Sequence, residues 1–149
     1  MIDYSEFWNN PAVAAARGDV IAAAEAYAAG QGDEPALERA VLLFNDAVSA
    51  ARMRLGHYQG LDDGGFTLTE EQRAMVRGRY LEEVRVAPPQ TAVLVAARTC
   101  LLAAVRDLDN PLGKWEREFN FNCSCMRYAG KAMAARRAQK DREYAWRGT

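Results

Sequence analysis

The sequence predicts an all-α fold: a single domain built as a bundle of about five helices, the last of them long. Three observations predict it. Alanine, the strongest intrinsic helix former, occurs 28 times in 149 residues. Prolines and capping residues divide the chain at helix-length intervals. Apolar residues recur at three- and four-residue steps, with no strand-like alternation and no internal repeat. At 16.5 kDa and half apolar, the chain is one domain, residues 1–149, large enough to bury a core.

The first helix is expected over 11–29. Pro11 follows Asn9-Asn10, and Gly30 closes the segment. Ten alanines lie in this stretch, with Val13, Val20, Ala24 and Tyr27 sharing one face. The second is expected over 35–55, opened by Asp33-Glu34-Pro35 and closed by Gly56. Its Leu37, Val41, Phe44, Val48, Ala51 and Leu55 form the alternating seam of a packed helix. Thr69 and Gln72 have capping-box spacing and start a third helix over 70–86.

The fourth helix is predicted over 89–108, behind Pro88-Pro89. Leu94, Leu101, Val105 and Leu108 make one stripe, while Val93, Val95 and Leu102 lie off it. A helix apolar nearly all round belongs in the middle of a bundle, so this one is expected to be central. The fifth runs from Pro111 to Trp146, either continuous or broken near Asn120–Cys125, where helix formers thin out. Its expected core stripe is Trp115, Phe119, Asn122, Met126, Ala129 and Met133, continuing in register as Arg137, Lys140 and Tyr144. Residues 134–149 therefore read as a basic helical extension beyond the bundle.

Charge is segregated along the chain. Residues 1–50 hold two arginines against eight acids, whereas residues 127–149 hold seven cations against two acids. The ends could pack together within the bundle or across a dimer, or the basic end could dock a partner. The whole chain nevertheless carries a formal charge of only −1, so no global field draws it to nucleic acid or anionic membrane.

Little in the sequence points to catalysis. The Gly56–Leu68 loop holds the one histidine, His57, near the acid pair Asp62-Asp63, which could form a general-base pair. No nucleophile or phosphate-binding motif accompanies them, and four glycines also simply make a connector. P-loop and GxGxxG motifs are absent. Cys123 and Cys125 would point about 160° apart on a helix, which disfavours a shared metal ion. No cofactor or metal is expected. The Met1–Glu6 start is not a signal peptide and the most apolar run contains Arg98, so a cytoplasmic protein with free thiols and no membrane span is expected.

The sequence therefore suggests a non-enzymatic protein–protein interaction module: an adaptor, inhibitor or assembly component. Its expected partner-binding residues are Arg136, Arg137, Lys140, Tyr144, Trp146 and Arg147 on the fifth helix. A homodimer through that helix is the expected assembly, because closed two-fold pairs are the commonest soluble oligomers. The first alternative is a nucleic-acid-binding protein that uses the same basic helix, where tyrosine and tryptophan interleave with cations. The second is a small enzyme with a His57/Asp62/Asp63 loop site.

Overall fold

The structure, a computed structural model, describes residues 8–54, 69–111 and 113–147, with the side chains of Met53, Arg54 and Arg147 excepted. Five helices occur among them: α1 (Pro11–Ala28), α2 (Glu34–Arg54), α3 (Glu70–Glu83), α4 (Ala92–Asp107) and α5 (Lys114–Arg147). The all-α expectation holds, and there is no strand among the described residues.

Local chemistry sets most boundaries. Asn10 accepts from the backbone N–H groups of Ala12 (2.9 Å) and Val13 (3.3 Å), and Pro11 occupies the first turn of α1. Gly30, at φ 74°, ends α1 and lets the Gln31 N–H reach back to the Ala26 carbonyl at 2.8 Å. Asp33 caps α2 by accepting from the Ala36 N–H at 2.9 Å. The Thr69–Gln72 capping box is complete in both directions, at 3.1 and 2.9 Å. The double proline stands outside α4, whose cap is Thr91, accepting from the Leu94 N–H at 3.2 Å. Likewise α5 starts three residues after Pro111, beyond Gly113 at φ 67°.

Two hairpins build the bundle. α1 packs on α2 and α4 on α5, and the pairs close into a ring of four through α2 on α5 and α1 on α4. The core follows the predicted seams of α1 and α2, with Val13, Val20, Ala24, Leu37, Val41, Phe44, Val48 and Ala51 all buried. From the other hairpin come Leu94, Leu101, Val105, Phe121, Cys125, Tyr128, Ala129 and Ala132. The Phe44 and Phe121 rings meet at 5.3 Å in a tilted pair. α3 lies outside the ring, against α2.

Two expectations need correction. α4 is not central: it contributes one wall of the ring, and Val93 and Val95 on its outer face are exposed. α5 is unbroken, but its core face centres on Phe121, Cys125, Tyr128, Ala132 and Ala135, about 120° round from the predicted stripe, of which Asn122 and Ala129 are buried at the edge of that face. Trp115, Phe119 and Met126 are exposed instead. Phe121 with Phe44 already fills that end of the core. Trp115 stacks outside it on Phe119 at 5.4 Å, with Trp8 edge-on at 6.3 Å. No helix of the described residues is long and apolar enough to cross a membrane.

Candidate functional site

Beneath the candidate site lies a polar layer that α2 carries into the bundle. Glu34 and Glu38 are one helical turn apart and both buried. Glu34 accepts from the Tyr128 hydroxyl (2.8 Å), Gln90 (2.6 Å) and Arg98 (2.9 Å). Burial, reinforced by the Glu34 carboxylate, pushes the Tyr128 hydroxyl far above the usual tyrosine range. Burial alone likewise raises the Cys125 thiol. Glu38 takes a forked pair from Arg136, at 2.7 and 3.1 Å.

The remaining Arg136 donors reach the carbonyls of Glu83 (2.8 Å) and Val86 (2.7 Å), just where α3 ends. This arginine thus ties three elements together. Glu83 also pairs with Lys140. At its other end α3 is held by Asp46, which accepts from Arg73 (2.8 Å) and Arg77 (2.6 Å). Within α3 Arg73 is the one buried residue, so the helix is anchored by this ion pair and by its apolar C-cap, the fully buried Val84.

The gap left between α3 and the end of α5 is a half-open groove of about 420 Å³. Val76 and Tyr80 of α3 and Met133 and Tyr144 of α5 give it apolar and aromatic walls. Arg79, Arg137 and Lys140 make its border cationic, against Glu83 and Asp141. Arg79 and Arg137 are exposed and in no ion pair among the described residues.

Four of the expected partner-binding residues, Arg136, Arg137, Lys140 and Tyr144, line this groove. Arg136 does so from below: it is buried and committed to Glu38, so it acts as a structural strut, contrary to its expected role as a docking contact. Lys140 stays half exposed beside Glu83. The unburied extension begins at Arg137, three residues later than predicted, because Ala135 and Arg136 are buried. Tyr144 and Trp146 are exposed but lie about 160° apart around the helix, so they do not form one sticky stripe. The side chain of Arg147 lies outside the described residues, as do His57, Asp62 and Asp63.

Arg127, Lys131 and Arg142 share the outward side of α5, within about 60° of one another, and are exposed. Sequence reasoning missed Arg79 and Tyr80 because the third helix offered no motif. It also missed the buried acids: Glu34 extends the Leu37–Val41 seam, which was the available signal, whereas Glu38 lies about 100° round from Leu37 and carried none. Set against protein-family models, curated proteins and solved structures, the chain matches none of them.

Proposed function

We propose that the chain is a non-enzymatic interaction protein that docks an acidic segment of another protein between α3 and α5. The observation that carries this reading is the groove itself. Apolar and aromatic walls from Val76, Tyr80, Met133 and Tyr144 stand beside Arg79 and Arg137, which are in no ion pair among the described residues. An amphipathic segment would bury its apolar side against those walls and set carboxylates on the guanidiniums. The absence of an apolar stripe on the α5 overhang speaks against self-pairing there and favours a partner lying along one side of it.

The test is a photo-crosslinking residue placed at Tyr144 in cells of the native host, with the same residue at Asp19 on the outer face of α1 as control. The expected result is an adduct to one protein at position 144 only, unaffected by nuclease and lost with Arg137→Glu. Equal capture at both positions would overturn the reading.

A second reading, nucleic-acid binding, is favoured by the outward row of Arg127, Lys131 and Arg142, none of them in an ion pair among the described residues. It predicts binding to mixed-sequence DNA or RNA that weakens steeply with salt and with Lys131→Glu, yet is indifferent to Tyr144→Ala.

A further inference from the structure

The two ends of α3 are held by different forces. Toward its start Ala74, Met75 and Val76 are exposed, Met75 at 61%. Tyr80 and Leu81 are half-buried, and Val84, just past the last turn, is fully buried, as is Pro88 beyond it. Apolar contact thus grows along the helix from almost none to a firm seat. At the weak end Asp46 holds it. The Asp46 carboxylate accepts from Arg73 at 2.8 Å and Arg77 at 2.6 Å, and its carbonyl accepts from Arg73 at 2.7 Å.

The ends also differ in what separation leaves behind. The Arg77 side chain is 40% exposed and that of Asp46 23%. When they part, both groups and Arg73 pass into water, which replaces what each loses, so pairs of this kind hold weakly. Arg136 is different. Glu38 fixes it in the interior, so the Glu83 and Val86 carbonyls, at 2.8 and 2.7 Å, cannot leave without stranding buried donors.

We propose that α3 is a hinged wall of the groove: its start, latched by Asp46, swings away from α2 about a pivot at Val84, and both positions are populated. The groove is then a wedge of variable width. Val76 moves away from Met133 and Tyr144, while Glu83 and Lys140 stay paired at the narrow end. The use of this motion rests on the reading of the groove as a docking site. An arriving segment enters at the wide end and is clamped when Asp46 recaptures its two arginines.

Electron–electron distance measurements on nitroxide-labelled full-length chain test this. Cys100→Ser and Cys123→Ser clear the background, and Asp19→Cys on α1 is the fixed reference. The second label is at Met75→Cys, near the latch, or at Glu82→Cys, near the pivot. At 1.5 Å of rise per residue, a tilt of about 20° about Val84 moves position 75 roughly 5 Å but position 82 only about 1 Å. The expected result at position 75 is two distances, with the minor population growing about twofold or more in Asp46→Asn. Position 82 should give one distance that does not change. A single sharp distance at position 75 in both chains overturns the proposal. So does equal displacement at position 82, which would mean that the whole helix detaches. A broad spread at 75 with loss of helical circular dichroism also overturns it, because α3 then melts rather than pivots. None of these readouts involves a partner, so their failure leaves the cross-link at position 144 to be judged separately.

Discussion

Replacing Arg136 with methionine should be among the most destabilising single changes in the chain. Glu38 is fully buried, and among the described residues Arg136 is its one charged partner, at 2.7 and 3.1 Å. Methionine fills much of the volume but supplies no donor. A carboxylate is then left in the interior, and the Glu83 and Val86 carbonyls lose bonds of 2.8 and 2.7 Å. Breaking a buried pair from one side costs roughly 3–5 kcal/mol, several times the value of an exposed pair. For a chain of this size that lowers Tm by about 6–20 °C. Urea unfolding followed by circular dichroism measures it directly. Combining Arg136→Met with Glu38→Leu removes both charges and should recover most of the loss, leaving the two carbonyls as the residual defect. A single variant that loses less than about 1 kcal/mol, as an exposed pair would, refutes the claim that this pair is desolvated and joins α2, α3 and α5.

Other outcomes follow from the same contacts. Leu101→Ala should cost roughly 2–5 kcal/mol, since its side chain is fully buried between the hairpins; an unchanged Tm would mean that the inward face of α4 is loosely packed. Tyr128 stays neutral in the fold while its unfolded counterpart ionises near pH 10. Its stabilisation is therefore complete below that pH and declines above it by up to about 1.4 kcal/mol per pH unit. The urea midpoint measured from pH 9 upward should thus fall less steeply in Tyr128→Phe than in the parent chain, and equal slopes would count against this. Asp46→Ala should raise amide exchange along α3 by roughly tenfold or more while α1, α2, α4 and α5 keep their protection, because Asp46 holds both Arg73 and Arg77. Uniform protection would contradict the peripheral placement of α3. Cys100 should react with a maleimide in the native state and Cys125 only on unfolding, as their exposure and burial require.

Much of this architecture is written in local patterns. Asn10 with Pro11, Asp33 with Pro35, and Thr69 with Gln72 are capping arrangements whose hydrogen bonds span two or three residues, so no tertiary information is needed to read them. The seams of α1 and α2 are equally legible, because a helix whose apolar residues repeat at 3.6 has a single face to bury. The tertiary structure decided what periodicity left open. On α5 apolar and aromatic residues occur all round: the stripe through Trp115, Phe119 and Met126 competes with the one through Phe121, Cys125 and Tyr128. The choice fell to the stripe whose Phe121 packs against Phe44, 77 residues earlier in the chain. The fate of Glu38 and Arg136 was equally non-local. Either residue alone reads as solvated surface, since an unpaired charge is expelled from a core. Together they can be buried, and only the fold brings the two, 98 residues apart, within hydrogen-bonding distance.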